Sequence, residues 1–359
     1  MLVHICCSVD SHFFLQKLQL LYPEESLVGY FYDPNIHPFS EYQLRLLDVK
    51  RSCEKLGIPL HEGEYNYKGW LEAVRGLEDE PEKGKRCSIC FDNRLLQSAK
   101  KAQEIGEKKI TTTLLTSPKK SLEQLALSLD KIAKVHNLEM VAPDFRKAGG
   151  TQEQFALAKR DQLYHQDYCG CVFALSKQRE AQNRWHDELS TPIRPQTLPS
   201  SIEERLELYQ AIYEREHENK AFKLKREKFL NYRLLSAKVM YKTEVIPSYF
   251  LFYSLCKKEQ FKARIENIHD DIGYMNKEEM YLISLQKFNL LAHAQYKNVK
   301  ELLYFPPPLE VEMAVRRALC QGSFLALSPI IVIDTIEEKR EYTFFIQSKS
   351  YQDIREVLV

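Results

Sequence analysis

The chain has 359 residues, with 51 Lys and Arg against 50 Asp and Glu for a net charge of +1, and 44% hydrophobic residues. That length exceeds a comfortable single core and favours two domains. No run of about 18 apolar residues offers a spanning helix, and no basic stretch followed by an apolar run offers a signal peptide, so the chain reads as cytoplasmic with no membrane partner. Its nine cysteines then argue against a disulfide framework and for metal or redox work. Balanced overall charge leaves room for a local basic patch that meets nucleic acid.

The first half alternates between strands and helices. Residues 1–6 read as a buried strand, Ser11–Tyr22 as a helix, Leu27–Tyr32 as a second strand and Glu41–Leu56 as a second helix stopped by Gly57. Ile58–Glu62 is a short third strand, and residues 67–75 and 88–105 are helical, with Gly106 closing the latter. Ile110–Leu115 is β-branched and strand-like, Ser121–His136 has helical periodicity, and Leu138–Ala142 is a further strand. Such alternation predicts an α/β, Rossmann-like domain over 1–189, with a mostly parallel sheet and helices on both faces. Ligands in such sheets bind beyond the carboxyl ends of the strands, where Cys6 and Cys7, and again Thr116-Ser117-Pro118, fall.

Composition changes at 190–201, where Pro192, Pro195 and Pro199 sit among Ser and Thr, which reads as a linker. Beyond it, 202–359 reads as a mainly α-helical accessory domain. Helices are expected at Ile202–Glu218 and Lys225–Tyr241, with a break at Pro306–Pro308, a hairpin from Ile330–Ile333 and Tyr342–Gln347, and a short terminal helix. Lys220–Lys242 carries eight Lys or Arg and one acid, Glu227, with Phe222, Phe229, Tyr232 and Tyr241 interleaved. RNA readers stack splayed bases on aromatics beside basic groups, so Lys223, Lys225, Arg226 and Tyr232 are candidate RNA contacts; a solvated helix face accounts for the same pattern.

Six of the nine cysteines come as close pairs: Cys6-Cys7, Cys87-x-x-Cys90 and Cys169-Gly-Cys171. Adjacent cysteines rarely reach disulfide geometry. Cys87 and Cys90 open a predicted helix, whose N-terminus favours thiolates. Gly170 leaves room for backbone to approach a bulky group. A tetrahedral ion takes four ligands, so six thiols suit an iron–sulfur cluster with a second metal or a redox pair. Structural zinc and thioredoxin-like exchange are the competing readings. Cys53, Cys256 and Cys320 read as core thiols. The loop Ser8-Val-Asp-Ser11 lacks the glycines of a pyrophosphate loop and no Walker motif is present, which weighs against ATP use.

At these residues the chain resembles the QueH family of epoxyqueuosine reductases. The resemblance runs through His4-Ile-Cys-Cys7, Phe31-Tyr-Asp-Pro-Asn-Ile-His-Pro-Phe-Ser-Glu-Tyr42, Arg86-Cys-Ser-Ile-Cys-Phe-Asp-Asn-Arg-Leu95, Ile110-Thr-Thr-Thr-Leu-Leu-Thr-Ser-Pro118, Asp144-Phe-Arg-Lys-Ala-Gly149 and Tyr168-Cys-Gly-Cys171. It covers residues 1 to about 185 and leaves the region after about 190 unmatched. Ser8-Val9 replaces an Ala-Pro, and His165 stands in place of an arginine.

The resemblance implies a HUP-type sheet and the last step of queuosine synthesis, in which a cyclopentane epoxide on the wobble base of tRNA is reduced to an alkene. It implies an iron–sulfur cluster of the 4Fe–4S kind, a second mononuclear iron and an external electron donor, since no flavin or nicotinamide fingerprint is present. Cys6, Cys7, Cys87, Cys90, Cys169, Cys171 and Asp10 are the candidate metal ligands. Four of these groups would hold the cluster, and Asp10 with remaining thiols the second iron. Tyr32, Glu41 and Tyr42 are candidate proton donors beside Asp10; packing against the sheet is the plain alternative for the two tyrosines. Asn35, Arg86, Arg94, Thr112, Ser117, Arg146 and Lys147 are candidate substrate contacts. The arginines among them suit phosphates or the substrate's hydroxyls. A cluster-dependent tRNA thiolase and a metal-bearing RNA-binding or redox-sensing protein are the alternatives.

Overall fold

The structure, a computed structural model, describes residues 1–189, 196–277, 280–320 and 327–359. Two compact units are present. The first comprises Met1–Glu188, Ile202–Lys225 and Val357–Val359; the second comprises Leu189–Ser201 and Arg226–Glu356. Pro192 and Pro195 of the expected linker lie outside the described residues.

The first unit opens β1 (Leu2–Ile5), α1 (Ser8–Leu21), β2 (Val28–Phe31), α2 (Phe39–Leu56) and β3 (Leu60–Glu62). It continues α3 (Tyr67–Ala73), α4 (Lys85–Glu104), β4 (Lys109–Thr112), α5 (Leu122–Val135), β5 (Glu139–Met140), α6 (Gly150–Arg160), α7 (Val172–Ala181) and α8 (Ile202–His217). Its strands pair in parallel in the order β3-β2-β1-β4-β5, the expected Rossmann-like sheet. Central β1 is buried throughout, as a strand with helices on both faces must be. Val3 and Ile5 join Phe14, Phe31, Val49 and Leu115 in one core, while Leu2 joins Tyr30, Tyr32, Leu95 and Ile110 in the other. The order reverses between β1 and β4, and such a switch point leaves a crevice at the carboxyl edge.

Three boundaries differ from expectation in ways that matter to that crevice. Helix α1 starts at Ser8, so Cys7 is its N-cap and Asp10 lies in its first turn, where the helix dipole favours an acid. Helix α4 starts at Lys85, placing Cys87 inside its first turn. Strand β4 stops at Thr112, and Thr113–Leu115 form a single 3-10 turn.

Helix α8 was expected in the accessory domain but belongs to the first unit. Its Tyr209 and Ile212 pack with Leu44 and Tyr164. Glu216 receives Arg51 Nε and Nη2 at 2.7 Å each, and Arg51 also donates to the carbonyls of Gln162 and Asp161 at 2.9 and 2.7 Å. Arg51 is 2% exposed, so removing its carboxylate strands a buried cation. Glu216→Ala is expected to destabilise the first unit by about 3 kcal/mol, read from the shift of its urea midpoint. A shift within error would show that Asp48, 2.9 Å from Arg51 Nη1, balances the charge alone.

The second unit is built on a sheet rather than helices. Its elements are β6 (Leu224–Tyr241, which starts in the first unit), β7 (Glu244–Ile246), β8 (Ser248–Phe250), β9 (Gln260–His269), β10 (Ile272–Met275), β11 (Tyr281–Ser284), α9 (Leu285–Ala292), α10 (Val299–Tyr304), α11 (Leu309–Leu319), β12 (Ile330–Ile333) and β13 (Glu341–Leu358). The strand order is β7-β6-β13-β9-β10-β11-β12-β8. Side chains alternate across this sheet. Ile330 and Val332 pack with Phe288, Val299 and Val315 of the helices, while Ile331 and Ile333 pack with Val239, Ile265 and Phe344.

Three expectations fail here. Lys225–Tyr241 is strand, β12 and β13 are not neighbours and so form no hairpin, and the terminal helix is the end of β13. Helix-forming Lys, Arg, Glu and Leu dominate Leu224–Tyr241, but pairing with β13, about a hundred residues away in sequence, overrides that weak local preference.

Candidate metal centre and active site

The crevice is lined by Cys6, Asp10, Asp33, Arg45, Arg94, Ser117, Lys120, His165, Gln166, Tyr168 and Cys169, with Val9, Leu114, Pro118, Lys119 and Phe155. Several of these groups arrive from element ends, while Arg45 and Arg94 reach in from the middles of α2 and α4. Cys6 follows β1, Asp33 lies just past β2, Ser117 and Lys120 follow the turn after β4, and Cys169 precedes α7.

The ligand atoms of Cys6, Cys7 and Asp10 all lie within 4.8 Å of one another, and all three residues are buried. Cys6 Sγ is 3.8 Å from Cys7 Sγ and 3.8 Å from Asp10 Oδ2. Gln154 Nε2 donates to Asp10 Oδ1 at 2.6 Å, which fixes the carboxylate and leaves Oδ2 toward the thiols. The Cys6 contact, burial and the neighbouring Asp10 push the Cys7 thiol well above its usual value. Burial likewise raises Asp10, against Cys7, Gln154 and Lys120.

Four more thiols gather beside them. Cys90 and Cys171 share a buried cluster with Trp70, and Cys169 packs against it. Burial raises Cys87, Cys90 and Cys171, the last to about 12, and the charge of Cys169 adds to each. Cys169 goes the other way: burial pushes it up, but Lys120, whose Nζ donates to Sγ at 2.8 Å, brings it below the usual thiol value. Gly170 has φ +97°, and a Cβ there would meet Ile36 Cγ1 at 2.8 Å. Its role is thus the left-handed turn and the close approach of the loop at Ile36, and not clearance for an inorganic group.

Cys7, Asp10, Cys87, Cys90 and Cys171 are all pushed toward their protonated forms, an environment a cation relieves, because a metal replaces several protons at once. Arg94, whose charge is felt by Cys6, Cys90 and Cys169, and Lys120 supply fixed positive charge against a thiolate-bound group. The donor set fits iron–sulfur ligation.

A family model described as epoxyqueuosine reductase QueH matches residues 1–177. The epoxyqueuosine reductase QueH of Helicobacter pylori is 42% identical over 367 residues, covering 98% of this chain and 97% of that one. The chain belongs to the QueH family of epoxyqueuosine reductases. QueH of Histophilus somni is 36% identical over 194 residues, covering 53% of this chain and 79% of that one. QueH of Thermotoga maritima is 33% identical over 192 residues, covering 53% and 95%. Among solved structures, the U34-tRNA thiolase NcsA from Methanococcus maripaludis with its 4Fe–4S cluster matches at a TM-score of 0.31 and 15% identity, over 60% of this chain and 72% of that one. All six paired thiols and Asp10 fall within the segment that the QueH model matches.

Within this QueH fold the expected site residues separate. Asp10, Arg94 and Ser117 line the crevice with Cys6 and Cys169, while the three expected proton donors do not. Tyr32 stacks on Tyr30 at 6.0 Å. Tyr42 packs among Phe31, Phe39 and Tyr65, with its hydroxyl donating to the carbonyl of Gly63 at 3.3 Å. Glu41 is fully buried, accepting from Arg45 Nε at 2.7 Å and from the Tyr164 hydroxyl at 2.8 Å.

Several expected substrate contacts also have structural partners. Arg86 is 1% exposed and donates to the carbonyls of Leu77 and Glu78 at 3.1 and 2.7 Å. Thr112 Oγ1 meets His4 Nδ1 at 2.9 Å. Arg146 donates to the carbonyls of Leu115, Lys120 and Leu114 at 2.7, 2.9 and 3.2 Å, which holds the Leu114–Lys120 loop rather than the substrate. Lys147 is 81% exposed beside Asp144 and does not line the crevice. Asn35 is buried and does not line the crevice, and its Oδ1 has no partner.

Sequence reasoning missed Asp33, Arg45, Lys120, Gln154 and Tyr168. Arg45 pins the last wall by donating to the carbonyls of Tyr168 and Cys169 at 3.0 and 3.3 Å. The strand-end rule that selected Ser117 applies equally to Lys120, and Asp33 lies inside the matched Tyr-Asp-Pro-Asn stretch. Nothing local marks Gln154, which reaches Asp10 across 144 residues of sequence.

Among the candidate tRNA contacts, Tyr232 is in the core of the second unit, 1% exposed, its hydroxyl donating to the carbonyl of Ser254 at 2.9 Å. Lys223 and Lys225 are exposed. Arg226 is 72% exposed and meets Glu356 at 3.0 Å. No helix among the described residues is long and apolar enough to cross a membrane.

Proposed function

We propose that this protein reduces epoxyqueuosine at the wobble position of tRNA to queuosine. The gathering of Cys6, Cys7 and Asp10 beside Cys87, Cys90, Cys169 and Cys171, at the switch point of a QueH-family sheet, carries this reading. The reaction breaks both carbon–oxygen bonds of the epoxide and forms a carbon–carbon double bond. It takes up two electrons from an external donor and two protons, and the oxygen leaves as water.

Cys87, Cys90, Cys169 and Cys171 would hold a 4Fe–4S cluster, and Cys6, Cys7 and Asp10 a second iron. When bound, the cluster supplies electrons singly and the second iron supplies a Lewis acid for the epoxide oxygen. The protein's own part is to set the surroundings. Gln154 orients Asp10, while Arg94 and Lys120 keep positive charge at the wall where negative charge develops. Lys120 Nζ carries protons into the crevice, and Arg45 and Arg146 fix the loops that enclose it. A cytoplasmic location agrees with a tRNA substrate and reduced thiols.

The test is anaerobic turnover of tRNA carrying the epoxide, read as loss of one oxygen from the modified nucleoside by mass spectrometry, under reductant and without ATP. A brown, iron- and sulfide-rich preparation that leaves such tRNA unchanged would point to a sensor instead, and a colourless zinc-bearing one to a structural module.

For the tRNA backbone, exposed Lys223, Lys225 and Arg226 remain the proposed contacts, now carried on an extended segment. Reversing all three charges is expected to weaken tRNA binding about tenfold near 100 mM salt and to reduce its dependence on salt concentration. Equal affinity for the variant would move the basic surface elsewhere.

A further inference from the structure

Two polar atoms in the crevice wall have no partner, and they lie on residues joined to each other. Asp33 is 1% exposed and Arg94 2% exposed. Asp33 Oδ1 accepts from Arg94 Nη2, which ties the pair together. Asp33 Oδ2 and Arg94 Nε are both buried without a hydrogen bond. Both residues line the crevice that holds Cys6, Asp10 and Cys169. A buried carboxylate oxygen and a buried guanidinium N–H left open are each costly, so this part of the wall is completed by what enters. The required chemistry is specific. One open atom only accepts and the other only donates, whereas a metal ion satisfies an oxygen but never an N–H. A hydroxyl both donates and accepts through one oxygen.

We propose that Asp33 and Arg94 form a hydroxyl subsite for the substrate nucleotide. Asp33 Oδ2 accepts the hydroxyl proton, and Arg94 Nε donates to its oxygen. This rests on the reductase reading and deepens it. The subsite sits in the same crevice as the metal ligands, so a hydroxyl held there anchors the nucleotide while its epoxide reaches them. A hydroxyl of the modified ring and one of the ribose share this chemistry, and only the first is lost when the wobble base is plain guanine.

The experiment compares wild type with Asp33→Asn on two tRNAs, one carrying the epoxide-modified base and one carrying unmodified guanine. Direct binding is measured on metal-loaded protein, together with KM, kcat, and iron and sulfide per chain. Loss of one charged hydrogen bond predicts about tenfold to a hundredfold weaker binding of the modified tRNA and a matching rise in KM. Metal content stays close to wild type. Selective loss on the modified tRNA places the hydroxyl on the ring, and equal loss on both places it on the ribose. Unchanged affinity for both tRNAs overturns the subsite. Loss of iron or sulfide also overturns it, because Asp33 would then serve the metal centre.

If Asp33→Asn does not fold, Asp33→Glu is read in its place. It keeps a carboxylate for Arg94 and displaces the open oxygen by a methylene, with the same expected loss. A wild-type protein that binds the modified tRNA in preference yet never removes its oxygen would refute the reductase reading and leave the subsite standing.

Discussion

Serine in place of Cys87 or Cys90 is expected to strip most iron and sulfide from anaerobically prepared protein. Turnover of epoxide-bearing tRNA should fall by at least about a thousandfold, equivalent to about 4 kcal/mol of barrier. Cys87 lies in the first turn of α4 and Cys90 one turn further, buried beside Cys171. Burial raises both thiols, so each remains protonated near neutral pH unless a metal takes the proton's place. A serine hydroxyl deprotonates far less readily than a thiol and is a poor ligand for iron, so a four-thiolate set reduced to three loses its grip. The measurement is iron and acid-labile sulfide per chain beside single-turnover activity. Full cluster content with full activity in either variant would remove the Cys87–Cys90 pair from the centre.

Asp10→Asn should separate the proposed second iron from the proposed cluster. Asparagine keeps the shape of the side chain and a carbonyl oxygen but loses the charge, the one non-thiol anion among the grouped ligands. Iron is expected to fall by about one atom per chain with sulfide retained, and turnover to fall at least about a hundredfold, the order set by losing a Lewis acid from the reacting oxygen. Gln154→Leu removes only the 2.6 Å bond that orients Asp10. Its cost should be nearer tenfold, as for other groups that steer a ligand without touching the metal. An Asp10→Asn protein with undiminished iron and rate would return this carboxylate to a helix-dipole role in the first turn of α1.

Legibility in the sequence tracked the range of the forces involved. Cys6 and Cys7 could be placed at a strand end because β1 is a short apolar run whose parallel neighbours repeat the pattern. The pairing of thiols within a few residues was local, and so was the alternation that implied the sheet. Tyr32, Glu41 and Tyr42 were misplaced for a complementary reason. A loop at the correct sheet edge carries side chains to both faces of its wall, and which face each takes depends on partners such as Tyr30, Gly63 and Tyr164 that local pattern does not reveal. The strand Leu224–Tyr241 was misread because its residues favour helix slightly, whereas its ladder with β13 acts over a separation no periodicity reports.

By itself, then, the amino-acid sequence determined the alternating first half, the three thiol pairs with Asp10, and membership of the QueH family, because these rest on residue identity and short spacing. Only the tertiary structure decided that α8 belongs with the first unit, through Arg51 and Glu216. It alone showed that the second unit is a sheet, that Gln154 steers Asp10, and that Asp33 and Arg94, both lining the crevice, each keep a buried polar atom without a partner. Those outcomes depend on burial and on partners many tens of residues apart, and a buried charge or polar group acquires its role only when the fold fixes which neighbours remain to satisfy it.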